Sequence, residues 1–254
     1  MSLSNKHVFF DLDRTLWDFD SNSKDALLLI FKEMDLVDIF KSFDRFYNAY
    51  VAQNARLWKL YGDGHLSKEV LRYERFNATL MQFNIDNIDL AKEMGSMYVT
   101  ISPFQKKLFP GTIACLEELK SIGFQLHIIT NGFEEVQYIK LENCGLDVFF
   151  DVIVCSEVIG KNKPARAIFQ YALKKAGCSA ENAIMVGDDF RADISGALNS
   201  GMKAIHFDPS LVYLKKIIPI PAKGSRRYLL WLPSCYLLRT KLIYLALVAS
   251  FHTR

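Results

Sequence analysis

Five short apolar runs recur along the chain, at 8–11, 125–130, 152–156, 183–187 and 203–207. Each has strand length, is rich in β-branched or aromatic residues, and is bounded by polar residues or glycine. Continuous rather than alternating apolarity is the pattern of a strand buried on both faces. Between the runs lie segments with helical period, at 112–122, 134–143, 165–176 and 192–200. Gly123, Gly145, Gly177 and Gly201 stand just past them, where a helix C-terminus wants a residue at ease with positive φ. Strands alternating with helices predict an α/β fold built on a parallel sheet.

Residues 21–102 break this rhythm and predict about four helices with no clear strand. Leu27, Leu28, Ile30 and Phe31 start one apolar face. Phe43, Phe46, Tyr47, Tyr50, Leu57 and Trp58 make another, and Val70, Tyr73, Phe76, Leu80 and Phe83 a third. Stripes of this kind are first of all packing surfaces. The chain thus leaves the sheet after its first strand, builds a small helical domain, and returns near Pro110–Gly111.

Candidate chemistry collects at the predicted strand ends, where ligands of open α/β sheets bind. Asp11 and Asp13 follow the first strand. Two carboxylates so close repel, and a divalent cation with a taste for hard oxygen ligands resolves the conflict, whereas a solvated turn is the plain alternative. The second strand ends in Thr130-Asn131-Gly132, a hydroxyl and a helix start fit to cradle phosphate. Lys163-Pro164 precedes a helix, and Gly187-Asp188-Asp189-x3-Asp193 ends the fourth strand in three acids. Singly, each is an ordinary turn, cap or surface charge. Together they supply a nucleophile, a metal site and anion clamps at four strand ends.

With these motifs in order, Asp11-x-Asp13-x-Thr15, Thr130, Lys163-Pro164 and Gly187-Asp188-x4-Asp193, residues 5–208 resemble the haloacid dehalogenase (HAD) superfamily of hydrolases. Trp17-x-Phe19-Asp20, Ile129-Thr130-Asn131-Gly132-Phe133, Ile139-x-Leu141-Glu142-x2-Gly145-Leu146 and Phe149-Phe150-Asp151 resemble a narrower branch containing bacterial pyrimidine 5′-nucleotidases. The resemblance implies a Rossmann-like core (1–17 and 106–208) with an inserted helical C1-type cap (18–105) that closes over the site. It implies Mg²⁺ held by Asp11, the Asp13 backbone carbonyl and Asp188. It also implies Asp11 as nucleophile, Asp13 as general acid/base, and Thr130, Asn131 and Lys163 on the transferring phosphate, with Lys163 counted among the catalytic residues. Asp189 and Asp193 are expected behind the metal ligands.

The activity expected from the resemblance is Mg²⁺-dependent hydrolysis of a phosphomonoester through an aspartyl phosphate, with a nucleoside 5′-monophosphate as substrate. A sugar-phosphate phosphatase or a β-phosphoglucomutase-like mutase shares the motifs. A 2-haloacid dehalogenase normally lacks the second carboxylate, and a silent binding module has no need of the full set. Trp17, Phe19, Trp58 and Tyr61 are candidates to stack a base, with ordinary packing as the alternative.

Composition narrows the partners. The net charge of +3 hides a divided chain: residues 1–208 carry all 28 acids and 23 of the 31 Lys/Arg, a net of −5. No basic patch with interleaved aromatics points to a polynucleotide, so a small phosphorylated molecule is the expected partner. Five scattered cysteines without a C-x-x-C pair suit a reducing compartment. No leader precedes the first strand, so a cytoplasmic location is expected. Residues 209–254 carry eight Lys/Arg and no acid. Their apolar stretch is cut by Pro233, Arg239 and Lys241, each charge costing roughly 2.5–3.5 kcal/mol mid-bilayer, so no membrane association is expected. The resemblance stops at this basic-apolar tail, which reads as something other than the family's own C-terminus, as a shifted reading frame would produce.

Overall fold

The structure, a computed structural model, describes residues 6–208 and the strand segments 217–222 and 225–232. The reading of 209–254 as a foreign tail falls largely outside the described residues. The chain divides into two compact units, one formed by Met1–Phe19 with Lys107–Arg254, the other by Asp20–Lys106.

The first unit holds a sheet of β1 (His7–Phe10), β2 (Gln125–Thr130), β3 (Val152–Cys155), β4 (Ala183–Gly187), β5 (Lys203–Phe207), β6 (Ile217–Ala222) and β7 (Ser225–Leu232), in the order β3-β2-β1-β4-β5-β7-β6. The first five strands are parallel, as the alternation predicts, β7 runs parallel to β5, and β6 is antiparallel to β7. Val8, Phe10, Ile128, Ile184 and Val186 pack into one apolar cluster, while Phe9, Ile129 and Met185 pack into a second. Successive side chains therefore enter opposite layers, and both layers are dry. That is the physical content of an uninterrupted apolar run.

The second unit is helical: α1 (Phe19–Glu33), α2 (Val37–Phe40), α3 (Phe43–Gly62), α4 (Lys68–Met81) and α5 (Ile88–Ile101). Ser42, Ser67 and Asn87 cap the last three, each side chain accepting from the backbone N–H three residues on. The aromatic stripes converge on one core of Phe31, Phe40, Phe46, Tyr50, Phe76 and Tyr98. Burying each such ring contributes about 1.5–3 kcal/mol.

In the first unit α6 (Thr112–Ser121) and α7 (Glu134–Asn143) cover one sheet face. After the short α8 (Ser156–Ile159), α9 (Arg166–Ala176) covers the other through Ile168, Phe169, Ala172 and Leu173. Gly145 and Gly177 both adopt φ of 65° just past their helices, the position anticipated for them. The segment expected as one helix at 192–200 differs. It opens with a wide π turn over Phe190–Ser195 and only then becomes α10 (Gly196–Asn199). The cause is local: the Ile194 N–H reaches back five residues to the Asp189 carbonyl, while the Asp189 carboxylate caps the N–H groups of Arg191 and Ala192. Among the described residues no helix is long and apolar enough to cross a membrane.

Candidate active site

The carboxyl ends of β1, β2 and β4 and the loop before α9 carry the site. Asp11 leaves β1 as its N–H donates to the Val186 carbonyl at 2.8 Å, which ties the end of β1 to β4. Its carboxyl is buried. Lys163 Nζ donates to Asp11 Oδ1 and pairs with Asp193 Oδ1, both at 2.6 Å, and donates to the Ile129 carbonyl at 2.7 Å. Asn131 holds this lysine by a reciprocal clasp: its Oδ1 accepts from the Lys163 N–H at 2.8 Å and its Nδ2 donates to the Lys163 carbonyl at 3.2 Å. The Asn131 side chain, expected on phosphate, is thus engaged with the backbone of the loop that presents the ammonium.

Thr15 links the two acid-bearing ends. Its hydroxyl donates to Asp11 Oδ2 at 3.2 Å and accepts from the Asp188 N–H at 3.1 Å. Asp193 Oδ2 accepts from the Asp189 N–H at 3.0 Å, while its Oδ1 has the Lys163 ion pair and, among the described residues, no hydrogen bond. A Cβ at position 187 would collide with the Asp193 carboxylate, which is why the strand must end in glycine here. Asp189 itself serves as the cap of the π turn.

Ligand oxygens of Asp11, Asp188 and Asp193 lie within 4.8 Å of one another. Three carboxylates share this space with one lysine, and the electrostatics show the strain. Burial raises Asp11 well above the ordinary carboxylate range, with Lys163 pulling it back and Asp193 and Asp188 pushing it further. Asp188 is pushed up to about 7, by burial first and then by Asp193. Burial also raises Asp193, against the pull of Lys163. Burial acts to lower Lys163, but Asp11 and Asp193 outweigh it and the ammonium is held protonated. A pocket of hard oxygen donors short of positive charge is what a divalent cation fits.

Asp13 faces elsewhere. Its Oδ1 lies 2.6 Å from Lys140 Nζ and its Oδ2 accepts from Gln137 Nε2 at 2.9 Å. Gln137 Nε2 also donates to the Thr130 hydroxyl at 2.7 Å. Neither Gln137 nor Lys140 stood out in the sequence, where α7 reads as an amphipathic helix. The signal was there as two long polar side chains one turn apart on a helix that starts from a phosphate-type loop, and both are buried. Trp17 is fully buried, with the Lys140 ammonium 4.2 Å from its ring centre and Phe19 at 6.1 Å. It packs, and a base has no face of it to stack on.

Fold and site together define a hydrolase whose acids, lysine and threonine meet at the carboxyl edge of a parallel sheet. The chain belongs to the haloacid dehalogenase-like hydrolase family, whose model matches residues 5–201. It is 34% identical over 197 residues to the pyrimidine 5′-nucleotidase YjjG of Escherichia coli, covering 77% of this chain and 82% of that one. It is 33% identical over 205 residues to a glyceraldehyde 3-phosphate phosphatase of Methanothermobacter thermautotrophicus, covering 79% and 84%. Among solved structures, the magnesium-bound HAD-hydrolase YfnB of Bacillus subtilis superposes with a TM-score of 0.80 at 25% identity, over 96% of this chain and 99% of that one.

Proposed function

We propose that this HAD-type phosphatase hydrolyses small phosphomonoesters through an aspartyl phosphate on Asp11, with nucleoside 5′-monophosphates as its substrates. The observation that carries the reading is the Lys163 ammonium set 2.6 Å from the carboxylate of Asp11 at the end of β1. An anionic nucleophile approaching a dianionic phosphate needs positive charge beside the line of attack. Asp11 attacks phosphorus, Asp13 delivers a proton to the departing ester oxygen, and Asp13 then takes a proton from the water that hydrolyses the intermediate. Thr130 and Lys163 bind the phosphoryl oxygens. Asp11, the Asp13 backbone carbonyl and Asp188 hold Mg²⁺, which when bound neutralises phosphate charge. The ion pair of Asp193 with Lys163 and its hydrogen bond from the Asp189 N–H support a place behind the ligands, and the capping by Asp189 supports a structural role. The described cysteines, Cys115, Cys144, Cys155 and Cys178, are unbridged, which suits a cytoplasmic enzyme.

Relatives of nearly equal identity act, by name, on a nucleotide and on a triose phosphate. A sugar-phosphate phosphatase is therefore the second reading. Phosphate release is to be measured with Mg²⁺ across nucleoside monophosphates, pentose and triose phosphates, beside Asp11→Asn. Nucleoside monophosphates are expected to give the highest kcat/KM, and Asp11→Asn to lose at least about 10⁴-fold. A preference for sugar phosphates selects the second reading. Wild-type turnover by Asp11→Asn overturns the nucleophile.

A further inference from the structure

We propose that Gln137 and Lys140 are positioning residues for the reaction, holding the Asp13 carboxyl in the orientation from which it serves the leaving oxygen and coupling it to Thr130. The inference rests on the phosphatase reading above. Asp13 follows β1 on a loop, and each of its oxygens has its own donor. Oδ1 meets the Lys140 ammonium at 2.6 Å and Oδ2 meets the Gln137 amide at 2.9 Å. Both donors come from α7, one turn apart, so a single helix holds both oxygens of the carboxyl. The same Gln137 amide nitrogen donates to the Thr130 hydroxyl at 2.7 Å. One side chain therefore sets the spacing between the group expected on phosphate and the group expected on the leaving oxygen.

The arrangement has two built supports. Lys140 is almost fully buried, its ammonium 4.2 Å from the centre of the Trp17 ring and 5.9 Å from that of Phe19. An aromatic floor keeps the cation directed at Asp13 without supplying a competing carboxylate. Gly132 supplies the other support. A Cβ there would collide with the end of the Gln137 side chain, so the glycine keeps open the space that the amide occupies.

In the first half-reaction the Asp11 carboxylate forms a bond to phosphorus as the ester P–O bond breaks. The bonding pair leaves with the ester oxygen, which receives the Asp13 proton. In the second, water attacks phosphorus and gives its proton to Asp13, while the Asp11–phosphorus bond breaks and its pair returns to Asp11. The phenolate of p-nitrophenyl phosphate leaves without a proton, whereas an alkoxide does not. This difference separates positioning of Asp13 from a general loss of structure.

The test compares wild type, Lys140→Met, Lys140→Arg and Gly132→Ala with p-nitrophenyl phosphate and an alkyl phosphomonoester in Mg²⁺. Gly132→Ala displaces the Gln137 amide, and with it a partner of Thr130, without removing a charge, and a loss on the alkyl ester well beyond its loss on p-nitrophenyl phosphate decides the matter should Lys140→Met fail to fold. Lys140→Met and Gly132→Ala are expected to lose about 100-fold in kcat on the alkyl ester with KM changed less than about threefold. The first turnover of p-nitrophenyl phosphate by Lys140→Met, which keeps the Gln137–Thr130 hydrogen bond, is expected to stay within about fivefold of wild type when read as a burst of phenolate. Lys140→Arg is expected to recover most of the alkyl-ester rate. Equal loss on both esters in the first turnover, or a raised KM at unchanged kcat, overturns the proposal. A wild type that releases no phosphate from either ester would overturn the phosphatase reading instead.

Discussion

The two ends of β1 and β2 bury polar groups by opposite means. At the carboxyl ends, Asp11, Asp188 and Asp193 crowd around Lys163. At the amino ends, His7 Nδ1 and His127 Nε2 lie 3.0 Å apart with their rings stacked, and Phe9 packs on His127. The histidines meet burial by staying neutral. His127 is pushed down to about 4 by burial and then by His7, with Asp151 opposing, and His7 is lowered by burial too. On the proposed reading the acids cannot all shed their charge and still act, and Lys163 is the cation that pairs with Asp11 and Asp193 there. The histidine end settles for neutrality, whereas the acid end holds carboxylates against a buried ammonium, the arrangement that the proposed reading would complete with a cation.

The largest expected effect falls on the charged end. Lys163→Ala leaves Asp11 and Asp193 buried without their counter-ion, which costs about 3–5 kcal/mol of stability and 10²- to 10³-fold, on the order of one strong electrostatic clamp, in kcat. Denaturant unfolding and steady-state kinetics measure the two. A small effect on both would mean that the ends do not differ in the way described.

Next comes the response to pH and metal. Folded Asp188 keeps its proton up to about 7, whereas the unfolded chain releases it near 3.8, so between these values the folded state binds more protons. The contribution of the acid cluster therefore falls as pH rises through that window. Mg²⁺ is expected to reverse this fall, and EDTA to restore it. Thermal unfolding at pH 5 and 7.5, with and without Mg²⁺, checks it; a pH response untouched by Mg²⁺ would remove the cluster as a cation site.

The smallest effect belongs to the histidine end, and its sign is opposite. Folded His127 stays neutral to about 4, whereas the unfolded chain takes up a proton near 6.5. The pair therefore loses stability as pH falls between these values. His127→Leu is expected to flatten that acid limb, to shift stability at pH 7 by no more than about 1 kcal/mol, and to leave kcat unchanged. A large drop in kcat would show that the two ends are coupled.

Much of this was legible in the chain because strands and caps are local. Apolar runs place the first five strands within one residue of their observed ends, and Gly145 and Gly177 take the positive φ that their positions imply. The motif acids do stand at strand ends, since a strand's last residue is a matter of sequence. The π turn was not legible, because it depends on which way the Asp189 carboxylate and carbonyl turn. Gln137 and Lys140 escaped notice because a buried polar pair on a helix looks like a solvated face until its partner is known. That partner, Asp13, lies 124 and 127 residues away.

By itself, the sequence determined the α/β sheet, the helical insertion and the residue types at each strand end, all of which follow from short-range periodicity and turn chemistry. Only the tertiary structure decided how those end groups pair. It put Asp11 and Asp193 on one lysine and Asp13 on another, committed Asn131 to the Lys163 loop, and buried Trp17 beneath Lys140. The physical reason is that strand order and helix placement set distances between residues far apart in the chain. At such short range, a rotation of one side chain decides which charge meets which.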